Sequence, residues 1–160
     1  MAVLTKSGRS AIAASIKNQK IHLAWGEGQE SWGTSPDVED VLATSLIKEV
    51  GRRSADEVLF VEGDDEGDLI TPTGRFKAVD FPTNNLYMRF TFDFENAANK
   101  TIRELGVFTN TIVNPELPIG QKYFEPQEVT APGILLVLER TVPLIRTAAT
   151  RESFSFVVTF

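Results

Sequence analysis

The amino-acid sequence predicts an α+β protein that is mostly β, with an N-terminal helix packed on an antiparallel β-sandwich-like core that carries a long hairpin. Three observations predict it. All eleven phenylalanines lie at or beyond Phe60, so the aromatic part of the core belongs to the later portion. Residues 86–94 and 153–160 alternate apolar and polar side chains, the period of a strand. The clearest helical period stands at the N-terminus, where Leu4, Gly8, Ile12 and Ile16 recur at spacing four.

Taken in order, Thr5 is placed to cap a helix whose first turn is Lys6-Ser7-Gly8 and which ends near Asn18. Its stripe is narrow and rich in Ala and Ser, which suits a helix laid closely on a sheet. Residues 21–25 read as a strand broken by Gly26-Glu27-Gly28, and residues 29–37, with Trp32, Gly33 and Pro36, have the chemistry of a loop. Asp37 opens a second short helical stretch, because Val38, Val41, Leu42, Leu46 and Ile47 share one helical side. Residues 58–61 and 69–79 read as the arms of a long hairpin whose solvated tip is the acidic run 62–68.

In residues 86–94, Leu86, Met88, Phe90, Phe92 and Phe94 make one apolar face, and burying its three phenylalanines is worth about 5 to 9 kcal/mol before entropic costs. Residues 95–100 supply a turn, after which residues 101–109 return antiparallel, with a bulge at Gly106. Residues 110–132 carry four prolines and form a long ordered excursion of the kind that makes contacts. Residues 134–138 are apolar at consecutive positions, so both faces of that strand are expected under cover. There is no internal repeat. The chain therefore reads as one domain over 1–160, with a helix, strand and loop portion at 1–49 and a β-rich portion at 50–160.

A domain of 160 residues buries roughly 70% of the surface its unfolded chain exposes, enough for a real core. A net charge of −6 disfavours a nucleic-acid partner, whose phosphates call for clustered Lys and Arg. The one adjacent basic pair, Arg52-Arg53, reads as a solvated face or as local ion pairs. No apolar run approaches the length of a membrane span, and the first residues lack the pattern of a secretory signal, so synthesis is expected in the cytoplasm. The chain has no cysteine, which removes disulfides and thiolate chemistry.

No residue pattern earns a catalytic, cofactor or metal assignment. His22, the only histidine, sits between Ile21 and Leu23 in a strand, and no Ser or Asp spacing selects a relay with it. The run Asp64-Asp65-Glu66-Gly67-Asp68 lacks the ligand alternation and terminal glutamate of an EF-hand loop. Carboxylate pairs such as Glu27 with Glu30, or Glu39 with Asp40, do not demonstrate the cleft that glycoside hydrolysis needs. Trp25 and Trp32 flank the Gly26-Glu27-Gly28 turn, and packing is the commoner fate of such rings than sugar stacking or partner contact.

Three stretches together resemble the N-terminal domain of phage tail-collar fibre proteins, the part that joins a tail fibre to the baseplate. They are Leu4-Thr5-Lys6-Ser7-Gly8-Arg9-Ser10-Ala11-Ile12-Ala13, then Leu23-Ala24-Trp25-Gly26-Glu27-Gly28, then Thr101-Ile102-Arg103-Glu104-Leu105-Gly106-Val107-Phe108. Their order and approximate spacing agree with the family over most of residues 1 to about 110, with residues 44–50 falling where the family has its link into the hairpin. Glu27 stands where the family has aspartate. The chain stops at Phe160, where a full fibre continues into a shaft and tip, so host recognition is not expected of this segment.

The resemblance implies a non-enzymatic structural component of the virion tail or baseplate, an adaptor or attachment subunit for tail fibres. It also implies other tail and baseplate subunits as partners, with symmetric copies in a trimer or ring. Candidate partner contacts are Trp25, Glu27, Trp32, Ile134, Leu136, Leu138, Phe156 and Phe160. The alternative from another class is a carbohydrate-binding module for host-surface glycans, held by Trp25, Trp32 and nearby loop groups.

Overall fold

Thr5 starts the one α-helix of the computed structural model, which describes residues 1–160. Its Oγ1 accepts the Gly8 N–H at 3.1 Å, capping α1 (Lys6–Lys17), and Asn18 closes the other end with its N–H on the Ala14 carbonyl. Only Ala13 of α1 is buried. Twelve strands follow: β1 (Ile21–Gly26), β2 (Glu49–Ser54), β3 (Glu57–Gly63), β4 (Leu69–Thr71), β5 (Gly74–Ala78), β6 (Asn85–Phe92), β7 (Thr101–Thr109), β8 (Ile112–Val113), β9 (Tyr123–Phe124), β10 (Val129–Ala131), β11 (Ile134–Ile145) and β12 (Glu152–Thr159). They form antiparallel sheets ordered β11-β7-β1-β2-β9 and β12-β6-β3-β5-β4, with a separate β10-β8 pair. The fold is thus mostly β with one N-terminal helix, as the sequence predicts.

Two compact units share the chain, and both draw on its early and late parts: Met1–Gln19, Ala55–Phe90 and Ser153–Phe160 make the first, Lys20–Ser54 and Thr91–Glu152 the second. In the first unit, Leu86, Met88 and Phe90 of β6 are fully buried, and the Phe90 ring meets Phe156 edge-on at 6.3 Å. Tyr87 on the opposite face is buried too, its hydroxyl 3.1 Å from Ser155 Oγ, so β6 is covered on both sides there. Residues 69–79 do not form one hairpin arm. They fold in two at Pro72-Thr73, pairing Thr71 with Gly74, and β3 pairs with β5. The acidic run therefore leads from β3 into β4, with Asp64 accepting the Glu66 N–H and standing 3.4 Å from Lys77 Nζ.

In the second unit, Trp25 stacks flat on Phe92, with ring centroids 3.5 Å apart. The strand at 86–94 ends at Phe92; Phe94 is exposed, with the Arg151 guanidinium over its ring. Strand β7 does not return on β6. It lies between β1 and β11, because the turn after Phe94 passes to the C-terminal part of the unit, where Asn99 N–H binds the Arg146 carbonyl and Arg146 N–H the Lys100 carbonyl. Gly106 carries no bulge: it pairs regularly with Ala24 and Leu138. Its need for glycine is close approach, since a Cβ there would lie 2.8 Å from Leu46 Cδ2.

Three further expectations change. Residues 38–47 form turns and no helix. Of the two readings of Arg52-Arg53, the solvated face fails, since both are buried, and the local ion pairs stand, to Glu49 and Asp93. Arg52 bonds Glu49, Thr111 Oγ1 and the Pro132 carbonyl beneath the Phe108 ring, while Arg53 bonds Asp93 and Asn96. The strand at 134–138 is covered only in part: Ile134 is exposed and Leu135, Leu136, Val137 and Leu138 are half-buried, with Leu135 and Leu138 packed on Ala24, Leu46 and Phe108. No helix is long and apolar enough to cross a membrane.

Candidate functional site

The antiparallel register of β1 on β7 sets Trp25 opposite Leu105 and Gly26 opposite Glu104, so two of the three motif stretches meet side by side. Gly26 has no side chain to compete with the Glu104 carboxylate; a Cβ there would sit 3.1 Å from Oε2. Glu104 is buried at 1% exposure and wholly used: Oε2 accepts the Ile47 N–H at 2.6 Å and Oε1 accepts Arg140 Nε at 3.1 Å. The turn is tied to the same link, with Glu27 N–H on the Lys48 carbonyl and Gly28 N–H on the Ile47 carbonyl. Arg103 Nη1 donates to the Glu27 carbonyl at 2.9 Å. Gly28 has φ +61° and packs where a Cβ would overlap the Trp32 ring, so glycine is required twice over.

Arg140 carries the clamp outward. Its guanidinium lies 4.7 Å over the Trp32 ring, and Nη1 donates to the Val38 carbonyl at 2.8 Å and the Asp37 carbonyl at 3.4 Å. The Arg140 N–H donates to Glu39 Oε1 at 2.9 Å, a bond that lowers the Glu39 carboxyl below its ordinary pKa. Trp32 Nε1 in turn donates to Asp37 Oδ2. These contacts explain the missing helix. The carbonyls of Asp37 and Val38 serve Arg140 instead of a following helical turn, and the Leu42 N–H takes the Asp40 side chain.

The sequence-predicted contact residues separate under this geometry. Trp25 is fully buried and Trp32 is 6% exposed, so neither indole offers the free face that sugar stacking or partner contact needs. Glu27 is half-buried, its carboxylate 3.9 Å from Lys100 Nζ. Ile134 is exposed, and Leu138 packs on the cluster of Ala24, Leu46 and Phe108. Leu136 and Leu138 share the wall of a shallow groove of about 200 Å³ with Leu135, facing Glu39, Asp40 and Val41. Phe156 and Phe160 belong to the first unit and are half-buried; the Phe160 N–H binds the Asn84 carbonyl.

Sequence reasoning missed Val38, Val41 and Leu42, which it assigned to a packed helical side and which stand 86%, 96% and 83% exposed. It also missed Arg140; the signal was Glu139-Arg140 interrupting an otherwise apolar strand. His22 is 4% exposed, edge-on to Phe124, and burial, reinforced by Arg52 and Lys20, lowers its pKa to about 4.

A protein-family model described as "Baseplate wedge 3 tail fiber network component" matches residues 1–160. No curated protein matches the chain.

Proposed function

We propose, from the premise that the chain belongs to the family of baseplate wedge 3 tail fiber network components, that it is a non-enzymatic adaptor or attachment subunit that holds tail fibres by packing against neighbouring subunits. The family is a structural component of the phage baseplate, which associates it with other tail subunits in the virion. One observation carries the finer reading. The second unit leaves Val38, Val41, Leu42, Ile134, Val142 and Ile145 exposed on the loop before β2 and on the outer strand β11. Apolar side chains concentrated on a sheet edge and a neighbouring loop are the material of a subunit interface.

The mechanism is burial: a neighbouring subunit covers these side chains while the Glu104 and Arg140 clamp keeps the loop in one shape. Symmetric copies, as a trimer or ring, fit a setting of this kind. Mass spectrometry of purified particles tests the reading, with the chain expected among the tail proteins; its absence from particles overturns it. Light scattering of the purified chain tests the oligomer, and a monomer at all concentrations removes the trimer or ring.

A further inference from the structure

We infer that the free edge of β11 is a strand-addition site held closed by residues 37–43, and that its occupant is an extended apolar segment of another tail subunit flanked by lysine or arginine. The inference rests on the tail-assembly reading above and names the partner for that surface. Strand β11 is twelve residues long and pairs on one side only, with β7. A long edge strand is a template for another chain unless something blocks it. Irregularities between Leu135 and Val137 and between Arg140 and Leu144, together with Pro143, leave residues 137–140 as the regular part of this edge, and there a side chain is the block: the Arg140 N–H donates to the Glu39 carboxylate at 2.9 Å.

At the edge itself the block is that one exposed bond; the other ties between loop and strand, the Arg140 guanidinium on the Asp37 and Val38 carbonyls and over the Trp32 ring, hold the loop and stay in place when Glu39 lets go. Between loop and strand the groove of about 200 Å³ stays unfilled. An incoming strand replaces Glu39 with its own carbonyl on the Arg140 N–H and lays alternate apolar side chains along Leu136 and Val41.

Charge selects the occupant. Glu39 and Asp40 line the groove and are exposed, while Arg140 is already spent on Glu104 and the loop carbonyls. A second copy of the chain brings a net charge of −6 and the same acidic rim. A basic-flanked strand pairs instead with the carboxylate that its arrival releases from Arg140.

The test uses two synthetic peptides as long as β11, with the same alternating Val and Thr core, one flanked by Lys and one by Glu, titrated onto the full chain and followed by backbone amide NMR. The Lys-flanked peptide is expected to shift the amides of residues 134–142. It should lose about tenfold or more in affinity on Glu39→Lys with Asp40→Lys, a tenfold change in Kd being about 1.4 kcal/mol. Glu39→Ala should speed exchange of the Arg140 amide about tenfold with β7 amides unchanged. Equal binding of the two peptides, binding of neither, or self-association of the chain abolished by Val41→Asp overturns the inference. If the chain is found in particles while neither peptide binds, only strand addition fails; if it is missing from particles, the assembly reading fails as well.

Discussion

Strands β7 and β2, which flank β1 inside the sheet of the second unit, bury charge, whereas the loop at residues 37–43 beside β11 exposes grease. Glu104 and Arg52 are 1% and 2% exposed, each held by several partners, while Val38, Val41 and Leu42 stand almost fully in solvent. Both choices oppose the usual distribution. A buried ion costs several kcal/mol unless its partners are in place, and each exposed Val or Leu forfeits about 1.5 to 3 kcal/mol of burial. The first arrangement fixes a geometry, since a buried carboxylate with two donors tolerates one backbone path for Ile47. The second leaves apolar surface uncovered on the loop that this geometry holds.

The comparison is sharpest where one side can be removed. Glu104→Ala leaves the Ile47 N–H and the Arg140 guanidinium without their carboxylate and should lower stability by about 3 to 5 kcal/mol in urea denaturation. A loss under about 1 kcal/mol would erase the distinction between the two regions.

Acid probes the buried side through His22. Its folded pKa, about 4, lies below the ordinary 6.5, so between these values the unfolded chain holds more protons than the folded one. The stabilisation is complete above pH 6.5, declines as pH falls, and is gone below about 4, a loss on the order of 3 kcal/mol. His22→Phe should flatten that part of the stability profile, and an unchanged profile would remove His22 as its cause. Gly106→Ala, which presses a methyl on Leu46 and Leu135, is expected to cost about 1 to 3 kcal/mol by thermal unfolding. Val41→Ser should change stability by less than about 0.5 kcal/mol while reducing incorporation into particles, measured by quantitative mass spectrometry; normal incorporation would detach the exposed loop from assembly.

Much of the fold was legible because it follows from local rules. Thr5 caps α1 through its own side chain, and the alternation at Leu86, Met88, Phe90 and Phe92 requires a strand whatever lies opposite. The same rules misread residues 38–47, whose helical spacing is real in the sequence but whose carbonyls serve Arg140, about a hundred residues away. They misread Phe94 because the strand is ended by the turn that Arg53 and Arg146 hold, and Gly106 because its constraint is a neighbour, not a bulge. Of the candidate contacts, Ile134 is exposed and Leu136 lines the groove, while Trp25 and Trp32 are buried because Phe92 and Arg140 cover their rings.

The sequence by itself determined a mostly β chain with one capped N-terminal helix and three motifs in the order of a tail-fibre attachment family. These depend on residue type and spacing along one stretch of chain. Only the tertiary structure decided which charges are buried, which strands are edges and which apolar residues remain uncovered. Each of those depends on what a distant segment places alongside, as Glu104 does for Ile47 and Arg140 does for Glu39.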